Sequence, residues 1–130
     1  MSKYKHTCFL IDDDIDDQEL FEIALKKVDN SIAYSVANNG VEAIKRFEED
    51  ASFVPDIIFL DVNMPKMNGL QCLAKLKELP QLHNVKIVMY TTSSDPAVIE
   101  ESKRLGAADF QTKPTSLKTL IERLSVILAN

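Results

Sequence analysis

Two kinds of segment alternate along the chain. Short apolar runs, "CFLI" (8–11), "IAYSV" (32–36), "DIIFL" (56–60), "KIVMY" (86–90) and "ADFQT" (108–112), each precede a longer polar stretch with a periodic apolar face. Continuous apolar runs of that length mark strands, and apolar residues recurring every three or four positions mark helices. Leu20, Phe21, Ala24, Leu25 and Val28 share a face in 16–28, as do Val41, Ile44 and Phe47 in 40–49. Leu70, Leu73, Leu76 and Leu79 repeat in 69–79, and Leu117, Leu120, Leu124, Ile127 and Leu128 in 116–129. A further helix is expected over 96–105. Strands alternating with helices predict an α/β fold, a doubly wound five-stranded parallel sheet with five helices on both faces. The near-continuous apolarity of "DIIFL" and "KIVMY" suits central strands covered on both sides. Residues 1–130 are expected to form a single domain, with nothing left over for a second.

In open sheets of this kind the site lies beyond the carboxyl ends of the strands, where the strand order reverses. The residues there are Asp12 and Asp13 after the first strand, Asp61 after the third, Thr91 and Thr92 after the fourth, and Lys113 after the fifth. The second strand ends in "ANNG", a plain turn. Composition narrows the partners. A net charge of −5 and a pI near 5.0 argue against nucleic acid, whose binders carry a basic face. No stretch reaches membrane-spanning length, and the opening "MSKYKHTCFLI" lacks the apolar run of a signal peptide. Cys8 and Cys72 match no metal spacing and read as reduced core residues of a cytoplasmic protein.

Three carboxylates gathered at one crevice repel one another, the more so when desolvated, unless a cation joins them. Hard aspartate oxygens suit Mg²⁺, which binds through one or two carboxylates and keeps waters for a phosphate. A lysine opposite the acids and a threonine hydroxyl beside them match the outer oxygens of a phosphoryl group. Phosphoryl transfer is largely positioning and charge neutralisation, and an aspartate can be its nucleophile. The residues alone therefore point to a magnesium-dependent site that phosphorylates its own aspartate.

"FLIDDD", "LDVNMPKMNG", "VMYTT" and "TKP", in that order at the strand ends, resemble the receiver domain of bacterial two-component response regulators, the CheY-like family. The resemblance covers essentially the whole chain and implies a flavodoxin-like strand order 2-1-3-4-5. It implies a stand-alone receiver without an output domain, a signalling switch and not an enzyme. Asp61 would accept the phosphoryl group from a sensor histidine kinase or a histidine phosphotransfer protein. Asp13, Asp61 and the Asn63 backbone carbonyl would hold Mg²⁺, with Asp12 acting through water. Thr91, Thr92 and Lys113 would bind the phosphoryl group, and Thr91 and Phe110 would form the switch. The message would leave by contact with a downstream protein or by onward phosphorelay, through a face including Ile99, Lys103, Phe110 and Lys118. The resemblance further implies a cis Lys113–Pro114 bond, and a loop after Asp61 shaped by Pro65 and Gly69. Three positions depart from the family pattern: Thr92 replaces a small alanine, Thr115 a phenylalanine, and Phe110 a tyrosine. They bear on phosphoryl lifetime and partner choice.

Plainer readings account for the remaining polar residues. Asp14, Asp16, Asp17 and Glu19 fall at a helix start, where caps and the helix dipole favour acids. A calcium loop beginning at Asp12 fails, because its sixth position is Asp17 instead of glycine and its twelfth is Ile23 instead of glutamate. His6 and His83 read as surface residues, and Met64 and Met67 as loop packing. The competing functional class is a haloacid-dehalogenase-type phosphatase with an aspartate nucleophile. That family places its nucleophile on the first strand with an acid two residues later, where this chain has Asn63 after Asp61.

Overall fold

A computed structural model describes residues 3–92 and 94–129. The elements are β1 (Thr7–Ile11), α1 (Ile15–Val28), β2 (Ala33–Ala37), α2 (Gly40–Glu49), β3 (Ile57–Leu60), α3 (Gly69–Glu78), β4 (Lys86–Thr91), α4 (Pro96–Arg104), β5 (Asp109–Thr112) and α5 (Leu117–Ile127). The strands pair in parallel in the order β2-β1-β3-β4-β5, as expected.

Element ends move by one or two residues from the sequence reading, and side-chain caps explain where. Asp14 accepts from the Asp17 N–H and starts α1 at Ile15, one residue early. Ser116 accepts from the Thr119 N–H and delays α5 to Leu117. Asn68 and Gln71 form a reciprocal capping box that fixes the start of α3. A short 3-10 turn, Pro80–Leu82, went unforeseen; proline ends the preceding helix while Leu82 still turns inward and is buried.

Strand residues alternate between two cores. Phe9, Ile11, Ile58, Leu60, Ile87 and Met89 pack toward Ala43 and Phe47 of α2 and Cys72, Leu73 and Leu76 of α3. Cys8, Leu10, Ile57, Phe59, Val88 and Tyr90 pack toward Phe21, Ala24 and Leu25 of α1 and Leu120 and Leu124 of α5. Phe21 meets Phe59 and Tyr90 edge-on at centroid distances of 5.0 and 5.6 Å. Each large side chain removed from water in this way contributes about 1.5–3 kcal/mol. At the amino end of the sheet, the Asp56 carboxylate accepts from the His6 and Thr7 N–H groups and so ties β1 to β3. That leaves the opposite end open for chemistry.

Candidate functional site

The parallel register brings Ile11, Leu60, Met89 and Phe110 level across four strands. The ladder then continues one residue past the strands. The Asp12 N–H donates to the Ala37 carbonyl at 3.1 Å and the Asp61 N–H to the Ile11 carbonyl at 3.0 Å. The Lys113 N–H donates to the Thr91 carbonyl at 2.7 Å. Backbone bonds thus fix the positions of Asp12, Asp61 and Lys113 at neighbouring strand ends. Asp12, Asp61 and Thr91 are buried despite their polarity.

Asp12, Asp13 and Asp61 each bring a carboxylate oxygen within 4.8 Å of the other two. The Lys113 ammonium, on a side chain only 8% exposed, lies 2.8 Å from Asp12 Oδ2, 3.2 Å from Asp61 Oδ2 and 2.7 Å from Asp17 Oδ2. Burial opposes its charge, yet the carboxylates of Asp12 and Asp17 outweigh that penalty and hold the ammonium's pKa above its ordinary value. Three acids from the chain's start and middle therefore converge on one amine near its end, with Asp13 beside two of them.

Asp12 bears the electrostatic strain. Burial pushes its carboxyl up to about 6, against the lowering effect of Lys113 and of the Asp14 N–H, which donates to Asp12 Oδ1 at 3.0 Å. A folded-state pKa above the ordinary carboxylate value means that protonation favours the metal-free fold. The stabilisation is complete below about pH 4 and is lost as the pH rises to about 6. Asp12→Asn removes this penalty. The metal-free variant is expected to be more stable than wild type at pH 7 by about 1–3 kcal/mol, with little difference at pH 4. Urea unfolding at the two pH values measures both effects.

The other expected residues take distinct places. Thr91 is buried at the end of β4, and Thr92 is exposed just beyond it. Asn63 is exposed, and its N–H donates to Asp61 Oδ1 at 3.3 Å. Phe110 is half-buried on β5, its ring packed against the α2–α3 core. The expected cis Lys113–Pro114 bond is not present: the bond is trans, the form an X–Pro bond intrinsically favours by about 0.5–1 kcal/mol.

Two residues were missed. Asp17 was read as a helix-start acid, but its carboxylate accepts from the Lys113 ammonium, while the cap is made by Asp14. Nothing in its spacing marks it out, because α1 begins only at Ile15 and an acid in the first helical turn is ordinary. Gln18 follows it; its Nε2 donates to the Asp12 carbonyl at 2.6 Å and to Asn38 Oδ1 at 2.9 Å, locking the end of β1.

The donor set fits a hard divalent cation. Asp12 Oδ2 is buried, faces the Lys113 ammonium as an ion pair, and makes no hydrogen bond of good angle. One ammonium cannot satisfy four carboxylates. All the available oxygens in the cluster are carboxylates, with no histidine or thiolate among them.

The response regulator receiver domain family matches residues 8–125. The chemotaxis protein CheY of Thermotoga maritima is 29% identical over 116 residues, covering 87% of this chain and 92% of that protein. The phosphorylated cyanobacterial phytochrome response regulator RcpA superposes with a TM-score of 0.85 at 28% identity, covering 95% of this chain and 91% of that one. The Mn²⁺-bound form of response regulator Rcp1 gives 0.77 at 27% identity, over 94% and 91% of the two chains.

Proposed function

This chain belongs to the response regulator receiver domain family, and from that membership we propose that Asp61 is the residue through which it is switched. Receiver domains are phosphoryl-accepting signalling switches; they take the group from histidine kinases and signal to downstream targets. The observation that carries the assignment to Asp61 is its meeting with Asp12 and Asp13 in one carboxylate cluster, two of whose members, Asp12 and Asp61, face the buried Lys113 ammonium.

Asp13, Asp61 and the Asn63 backbone carbonyl would hold Mg²⁺, with Asp12 reaching it through water. The solution of Rcp1 in a manganese-bound form supports a divalent cation in this fold. When bound, the cation neutralises the acids and the charge developing on the phosphoryl oxygens. Asp61 Oδ attacks the donor's phosphorus, the bond from phosphorus to the donor's imidazole nitrogen breaks, and the imidazole leaves with its electron pair and takes up a proton. Lys113 donates to a phosphoryl oxygen, and Thr91 and Thr92 supply hydroxyls on the fourth strand's side. The new charge draws the Thr91 hydroxyl toward Asp61, and Phe110 follows inward. Ile99, Lys103 and Phe110 line one hollow between α4 and β5, which supports this face, extended toward Lys118, as the output surface. The donor is a sensor histidine kinase or a histidine phosphotransfer protein, and the reader is a downstream protein in the cytoplasm.

The haloacid-dehalogenase alternative finds no support: Asp61 ends the third strand, and the family match is to receivers. Incubation of the purified chain with acetyl phosphate and Mg²⁺ should add one phosphoryl group per chain, located by mass spectrometry in the peptide holding Asp61, and a chelator should prevent it. No uptake, or uptake elsewhere, overturns the assignment. Sustained hydrolysis of many small phosphate esters without a modified chain would favour the phosphatase.

A further inference from the structure

Asp17 is the site residue for which helix capping gives no account. In the first turn of α1 its backbone N–H is the group being capped, donating to Asp14 Oδ1 at 3.0 Å. Its own carboxylate reaches across to Lys113 at 2.7 Å, the shortest of the ammonium's three carboxylate contacts. A lysine ammonium has three N–H donors and no acceptor. Here the three neighbours come from three elements: Asp12 follows β1, Asp17 lies on α1, and Asp61 follows β3.

We propose that Asp17 is a positioning residue for Lys113, anchoring the ammonium from α1 so that one N–H remains aimed at Asp61. This rests on Lys113 being the phosphoryl-binding lysine. Of the three contacts, those to Asp17 and Asp61 also have hydrogen-bond geometry, whereas the one to Asp12 does not. Asp17 is thus the partner that fixes direction as well as distance. When a phosphoryl group is carried by Asp61, its oxygen replaces Asp61 Oδ2 as acceptor, and the Asp17 bond need not break. Lys113 then enters transfer already oriented, without first ordering its four-carbon stem. Asp17 is one-third exposed, so it does this from the rim, outside the three-aspartate cluster.

The test compares initial rates of phosphoryl uptake from acetyl phosphate at saturating Mg²⁺. Asp17→Ala is expected to slow uptake about fivefold, and Asp17→Asn, which keeps an acceptor oxygen, by less than about twofold. Once Lys113 is alanine, Asp17→Ala should change nothing further, because its effect passes through the lysine. Uptake at or above the wild-type rate in Asp17→Ala overturns the proposal. So does an equal slowing in the Lys113→Ala background. The ¹⁵N resonance of the Lys113 ammonium gives a readout that needs no phosphorylation: resolved in wild type, it should broaden in Asp17→Ala, and an unchanged line also overturns the proposal. If wild type takes up no phosphoryl group while that resonance still depends on Asp17, the role of Asp61 fails and the anchoring of Lys113 stands.

Discussion

Asp61→Asn is expected to reduce phosphoryl uptake from acetyl phosphate by more than about a thousandfold, to below detection by intact-mass measurement. The amide keeps the shape of the side chain but has no anionic oxygen to attack phosphorus. None of the neighbours can take its place. Asp12 is fully buried with one oxygen on the Asp14 N–H and the other against Lys113, and Asp17 is held by the same ammonium. Asp13 is exposed but follows β1, not β3. The same substitution should leave the fold intact, because it removes one anion from a cluster in which three carboxylates lie within 4.8 Å. The charge of Asp61 also helps push the Asp12 carboxyl up, so Asp12 should titrate at lower pH in the variant. Mg²⁺ affinity measured by calorimetry should fall with the lost ligand. A variant that loses uptake but keeps both its metal affinity and the wild-type titration of Asp12 would place Asp61 outside the cluster's chemistry.

The legible features were those set by periodicity and by the ends of strands. Parallel strands covered on both faces must be almost wholly apolar, so β3 is visible as "IIFL" and the polar residue after it marks the rim. Asp12, Asp61, Thr91 and Lys113 were found in this way, without knowledge of any contact between them. Element ends were less legible, because a single side chain decides them: Asp14 starts α1 and Ser116 starts α5 through oxygens that periodicity does not register. Asp17 stayed hidden because acids in a first helical turn have an ordinary reason to be there. Only the depth at which Lys113 crosses toward α1 distinguishes it from Asp16, which is exposed. The strand order itself came from family resemblance, since five β-α units are compatible with more than one winding.

Gly69→Ala is expected to destabilise the protein by about 3 kcal/mol or more and to slow phosphoryl uptake, although Gly69 touches no phosphoryl group. A Cβ at this position would lie 2.2 Å from the Asp61 carbonyl oxygen and 2.6 Å from Val62 Cα. Both are backbone atoms, so no rotamer change relieves the clash. The close approach has a structural cause: the Gly69 N–H donates to the Val62 carbonyl at 2.7 Å, drawing the start of α3 onto the loop that leaves β3. Relief must move either α3, whose Cys72, Leu73 and Leu76 are in the core, or Asp61 itself. The first route costs packing, and the second displaces the Asp61 carboxylate from Lys113. Gly40 provides the control. A Cβ there would meet Met67 Sδ at 3.0 Å and Cys72 Cβ and Sγ at 3.2 Å; none is a backbone atom, none is closer than 3.0 Å, and a shift of a few tenths of an ångström relieves them. Gly40→Ala should therefore cost less than about 1 kcal/mol and leave uptake unchanged. Urea unfolding followed by circular dichroism, with uptake rates on the same samples, separates the two variants. Equal costs at the two glycines would mean that the α3 start does not bear on Asp61, and that the loop geometry is set elsewhere.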